Sequence, residues 1–138
     1  MIIASEVMPL LLQACPSFQR RWAAYVLDPT YDESFLYIHL AEFARHLVDL
    51  AKQGATDEFS AVFQVVERLH LEGHPYVSEA ATIGLLEGIQ NVAGNSGMDP
   101  ERFVPHLGPE SSKWWAQLNA FWAGEIPYVG ASLKHSKD

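Results

Sequence analysis

Residues 55–94, ATDEFSAVFQVVERLHLEGHPYVSEAATIGLLEGIQNVAG, decide the fold. Thr56 stands where a helix N-cap belongs, and Phe59, Val62, Val66 and Leu69 follow at helical spacing before Gly73. Pro75 suits the first turn of a next helix. The packing side of that helix would be Val77, Ala80, Ala81, Gly84, Leu85 and Ile89. Gly84 and Gly88, four apart, leave room for a neighbouring helix to come close. The stretch thus predicts two consecutive amphipathic helices separated by a glycine stop, both carrying carboxylates, which describes a helical scaffold with an acidic surface.

Upstream, Leu36, Leu40, Phe43, Leu47 and Leu50 form one apolar stripe, with Tyr37, Ala41, Ala44, Val48 and Ala51 beside it. Two stripes predict a helix covered on more than one side. Thr30-Tyr31-Asp32-Glu33 reads as its capping box and Gly54 as its end. Earlier still, Ser5 reads as the cap of a short first helix closed by Pro16. Cys15 and Pro16 then open a second, with Phe18, Trp22 and Tyr25 in phase. Downstream, Asn91 to Asp99 reads as a loop, and Asp99-Pro100-Glu101 starts a short sixth helix ending near Gly108. Pro109 opens a seventh, with Trp115, Leu118 and Trp122 in phase and Gly124 as its stop. The expectation is an all-α fold of six or seven antiparallel helices, one domain over residues 1–124, with residues 125–138 a loosely held tail. The glycine stops give helix pairs of roughly 40 residues, close to HEAT-type repeats, and a plain bundle gives the same spacing.

The chain has 138 residues, 49% of them hydrophobic, which is enough for a single core. No apolar run approaches the ~20 residues of a membrane helix, and the opening MIIASEVMPLLLQAC has no basic segment and carries Glu6 and Pro9, unlike a signal peptide. A single cysteine, Cys15, fits a reducing cytoplasm. The net charge of −8 argues against nucleic acid as the partner. Residues 28–101 hold thirteen acidic and three basic side chains. This excess reads either as a solubilising surface or as a site for a basic protein.

Several constellations could carry chemistry. His39, Glu42, His46 and Asp49 line one helical face and are all metal-ligand types, but that face is the complement of the apolar stripes and reads as the wet side. Glu67 and His70 form a Glu-x-x-His step without the second copy that a di-iron bundle needs. His70 and His74 straddle Gly73, lack the HExxH order, and leave His70 as a complement to a helix C-terminus. Cys15 reads as a buried, inert thiol. Glu87, near the Gly84 seam, must be paired or lie at a rim. The sequence therefore predicts no catalytic residue, no metal and no cofactor.

Phe63-x-x-x-Glu67-x-Leu69-x-x-x-Gly73, Ala80-x-x-x-Gly84-Leu85-Leu86-Glu87, and Leu107-Gly108-Pro109 before the aromatic helix from Trp114 to Trp122 together resemble a family of small all-helical bacterial proteins of unknown function. The resemblance covers roughly residues 55 to 122. Members of such a family are often taken as candidate immunity proteins of toxin systems. The resemblance implies a cytoplasmic inhibitor without catalytic residues, and supplies no binding site to carry over.

The leading expectation is thus a non-enzymatic binding protein, an immunity protein that neutralises a cognate, basic toxin through an acidic helical surface. The candidate contacts are Glu42, Asp49, Glu58, Glu67, Glu72, Glu79 and Glu87. The alternatives are a small metal-dependent enzyme using His39, Glu42 and His46, and a helical-repeat adaptor. Neither nucleic acid nor a membrane is expected as a partner.

Overall fold

A computed structural model describes residues 1–131. The described chain is all-α: α1 (Ala4–Ala14), a 3-10 turn (Pro16–Phe18) running into α2 (Gln19–Tyr25), α3 (Leu36–Lys52), α4 (Phe59–Glu72), α5 (Pro75–Glu79), a π-helical segment (Ala80–Leu86), α6 (Glu87–Asn95), a second 3-10 segment (Pro100–His106) and α7 (Pro109–Trp122). α5, the π-helical segment and α6 are continuous and form one rod over residues 75–95. The only β-type pairing among the described residues is a bridge in which Ile2 N–H donates to the Glu72 carbonyl at 2.9 Å and His74 N–H donates to the Ile2 carbonyl at 2.8 Å.

That bridge explains the first departure from the sequence reading. The Ile2 bridge fixes the chain just ahead of α1, and the helix starts at Ala4, where Glu6 accepts from Ile3 N–H at 2.9 Å. Ser5 therefore lies inside the helix instead of capping it. The expected capping box at residues 30–33 is also replaced. Asp32 accepts from Ser34 N–H at 2.9 Å and Ser34 Oγ at 2.7 Å, a local turn that delays α3 to Leu36. At the other end, Gly54 takes φ +71° and stops α3, as its position predicts. α6 runs to Asn95, so half of the expected 91–99 loop is helical, and Gly97 at φ +78° takes the left-handed position.

The stripes are core. Leu40, Phe43, Leu47, Val62, Val66 and Leu69 are fully buried and belong to one hydrophobic cluster that draws on every helix from α1 to α7 except α2, whose Trp22 packs against it partly buried. α3 leans chiefly on the π-helical segment and α6, while α4 leans on α1, α5 and α7, so the two stripes serve one common core and not a private α3–α4 seam. Gly84 permits the α3 contact: a Cβ there would stand 3.1 Å from Leu40 Cδ1, and one at Gly88 would stand 3.4 Å from Ala44 Cβ. Trp115 and Leu118 of α7 are buried as their spacing predicts, whereas Trp122 at the last turn is exposed. Of the expected tail, residues 125–131 fold back on α7: Ile126 and Ala131 are buried with Ala120, and Gly130 N–H donates to Gln117 Oε1 at 3.1 Å. Residues 132–138 lie outside the described residues.

Candidate functional site

The third side of α3, read as wet, is partly covered by side chains of the 3-10 turn and α2, while Asp49 and Arg45 stay exposed. Phe18 packs edge-on to Phe43 at 5.0 Å between ring centroids, and Arg21 reaches over to Glu42 at 2.6 Å and Asp49 at 3.0 Å. His39 is consequently buried, at 2% exposure, and does not face water. It sits in a box of rings. Tyr31 stacks on it at 5.1 Å, Trp22 and Tyr25 meet it edge-on at 5.5 Å, and the Tyr25 hydroxyl lies 2.7 Å from Nδ1. His39 Nε2 is buried without a hydrogen-bond partner among the described residues. Such an orphan is uncommon in a folded interior.

Two clefts open on this box, of about 520 Å³ and 430 Å³, and the stacked Tyr31–His39 pair borders both. The larger lies between α2, the 26–35 connection and α3. Tyr25, Tyr31, Phe35 and Ile38 supply its apolar walls, and Asp28 and Asp32 its acidic edge. Each aspartate accepts from the hydroxyl and backbone N–H two residues on, Thr30 and Ser34 respectively. These bonds hold both carboxyls below their ordinary range, the hydroxyl bond contributing most. Of its lining residues, Phe35 and Ile38 are 48% and 56% exposed. Sequence reasoning missed this cleft. The repeated Asp-x-Thr and Asp-x-Ser steps, set among Trp22, Tyr25, Tyr31 and Phe35, were the available signal.

The seven carboxylates singled out from the sequence do not form one surface. Glu42 is half-buried between Arg21 and Arg45, and Asp49 shares Arg21. Glu72 pairs with Arg68 at 3.1 Å, and Glu79 accepts from the Tyr37 hydroxyl at 2.7 Å. Glu87 is half-buried with no partner among the described residues, and burial raises its carboxyl. The remaining two are structural. Glu67 accepts the N–H groups of Glu110 at 2.8 Å and Ser111 at 2.9 Å, so it caps α7 from another helix. Glu58 accepts Ser17 N–H at 3.0 Å at the start of the helical run that leads into α2. In both cases the helix's own cap position, Gly108 or Cys15, makes no side-chain capping bond.

Each of these caps extends through a serine to a histidine. Ser111 Oγ donates to Glu67 at 2.9 Å, which leaves it to accept from His70 Nδ1–H at 3.0 Å, so Nε2 accepts from the Thr82 hydroxyl at 3.0 Å. Ser17 Oγ likewise donates to Glu58 and accepts from His46 Nε2–H at 2.9 Å. Burial pushes both histidines below the ordinary imidazole value, so they are neutral near pH 7. His70 is thus not the charged complement to a helix dipole that its position suggested. In each network the serine stands between carboxylate and imidazole, and Thr82 is only 4% exposed. The arrangement knits helices together, with Ser111 buried in one network and Ser17 exposed in the other. Cys15, buried beside Glu58, has its thiol pushed up to about 11 mainly by that burial, which makes it a poor nucleophile. Among the described residues no three His, Cys, Asp or Glu side chains converge to hold a metal ion. No described helix is long and apolar enough to cross a membrane.

Fold and site together define a small all-α domain with an acid-edged aromatic cleft between α2 and α3 and two carboxylate–serine–histidine networks that cap its helices. The chain belongs to the family described as a domain of unknown function (DUF7674), which matches residues 8–123. At that level the match agrees with the resemblance read from residues 55–122. Comparison with curated proteins and with solved structures gives no match.

Proposed function

We propose that this protein is a non-enzymatic binding protein, and specifically a bacterial cytoplasmic immunity protein that neutralises a cognate, basic protein toxin. The observation that carries the reading is the cleft between α2 and α3, where exposed Phe35 and Ile38 stand beside the Tyr25 and Tyr31 walls, edged by ionised Asp28 and Asp32. Apolar and aromatic anchors with a charged rim are the composition of protein-recognition surfaces. The Glu58–Ser17–His46 and Glu67–Ser111–His70 networks tie separate helices together, which supports a rigid scaffold. The acidic contact set changes accordingly. Glu58 and Glu67 cap helices and Glu42 is held between arginines, so steering falls to Asp28, Asp32 and Glu33 near the cleft, with Glu72, Glu79 and Glu87 elsewhere.

The test pairs the purified protein with products of neighbouring genes and follows association by surface plasmon resonance. Steered binding to a basic partner slows steeply as the screening length falls from ~10 Å at 0.1 M salt to ~3 Å at 1 M. Reversing Asp28, Asp32 and Glu33 to lysine should lower the association rate by about tenfold or more. An acidic partner, or an association rate indifferent to those reversals, overturns the electrostatic reading.

A further inference from the structure

We propose that the cleft between α2 and α3 is an arginine-binding site, which receives an arginine side chain of the protein partner. This rests on the protein-binding reading above and adds the chemistry of the group recognised.

Charge supplies the first argument. The cleft is bordered by three carboxylates, Asp28, Asp32 and Glu42, against one guanidinium, Arg21. Arg21 is already held by Glu42 at 2.6 Å and Asp49 at 3.0 Å, so it leaves Asp28 and Asp32 uncompensated. Both of those are exposed, and the Thr30 and Ser34 bonds keep them ionised and fixed in orientation. An anionic occupant is repelled here, and a cation is attracted.

Shape supplies the second argument. Tyr25 and Tyr31 line the cleft, with apolar Phe35 and Ile38 beside them. A guanidinium is planar, weakly hydrated and stacks on aromatic faces, while an ammonium is a compact and strongly hydrated point charge. The aliphatic stem of arginine also suits apolar walls.

Hydrogen-bonding capacity supplies the third argument. Thr30 and Ser34 bond only Oδ1 of Asp28 and of Asp32, so each Oδ2 is open to a further donor among the described residues. A guanidinium carries five N–H donors in a fixed fork that matches carboxylate oxygens.

The test uses the full chain and needs no partner. Isotope-labelled protein is titrated with Nα-acetyl-arginine methylamide, and in parallel with the citrulline and lysine analogues, while NMR follows residues 25–39, the Trp22 indole and the His39 ring nitrogens. The expected result is saturable shifts confined to the cleft with the arginine compound, in the weak range of a single side chain. Citrulline, equal in length but neutral, should bind at least about tenfold more weakly. The double variant Asp28→Asn/Asp32→Asn should lose about as much, because asparagine keeps the local turns and removes only the charges. The proposal is overturned by equal binding of citrulline, by binding indifferent to the double variant, by shifts outside the cleft, or by no saturation with arginine. Equal binding of the lysine compound overturns the guanidinium assignment. A protein captured in the gene-neighbour experiment while the arginine compound fails would sink this inference and leave the protein-binding reading standing.

Discussion

Glu67 and Glu87 are both half-buried glutamates on helices, and they answer opposite demands. Burial works to raise the Glu67 carboxyl, but hydrogen bonds from Ser111 and Glu110 outweigh it and hold the group ionised and below its usual range. Glu67→Gln replaces one accepting oxygen by a donor aimed at backbone N–H groups. The expected loss in a denaturant melt is about 1–3 kcal/mol. Gly108→Ala should destabilise as well, since its Cβ would stand 2.6 Å from Glu67 Cδ and push the carboxylate off the cap. For Glu87 burial is the cause with nothing to oppose it, and the carboxyl is raised. A raised carboxyl contributes stability below its unfolded value and loses it as pH rises through the folded one. Glu87→Gln should therefore raise the melting midpoint at pH 7, and the gain over the parent should vanish as pH falls toward 4. A lower midpoint at pH 7 would show that Glu87 has a partner after all.

At the scale of elements, α3 shows what the chain made legible. Its two apolar stripes predicted burial on two sides, and Leu47 is fully buried. Leu47→Ala should cost about 2–5 kcal/mol, measured as the shift of the denaturant midpoint, and a loss below about 1 kcal/mol would place the stripe elsewhere. Its end at Gly54 and the close approach at Gly84 were equally readable, because each depends on one local glycine. The third side was not. Whether His39 and Glu42 meet water depends on where α2 docks, and α2 is a short amphipathic turn whose own spacing does not name its partner. The caps were hidden for a similar reason. Glu58 meets Ser17 across 41 residues and Glu67 meets Ser111 across 44, so no local window contains both members. The detectable trace is negative: helices opening on Cys15-Pro16 and Gly108-Pro109 have no acceptor of their own, and buried N–H groups need one from elsewhere.

For the whole molecule, the two neutral histidines set the response to acid. His46 and His70 both lie below the ordinary value of 6.5, chiefly through burial. With folded values depressed, the unfolded chain binds more protons below that value, so stability is full above pH ~6.5 and declines as pH falls through it. Chemical denaturation from pH 8 to 5 should show this limb, and His46→Asn/His70→Asn should flatten it. A second decline follows at lower pH, as Glu58 and Glu67, both held below their ordinary 4.5, take up protons. That both carboxylates sit on one stretch of chain has a kinetic meaning. Neither the 3-10 turn that leads into α2 nor the first turn of α7 has its capping acceptor until the α4 stretch is in place, and each closure spans 40-odd residues of intervening chain. α4 is thus the template on which the two outer arms of the molecule are registered. Pulses of deuterium during refolding should label the amides of Ser17 and Ser111 long after those within α4 are protected.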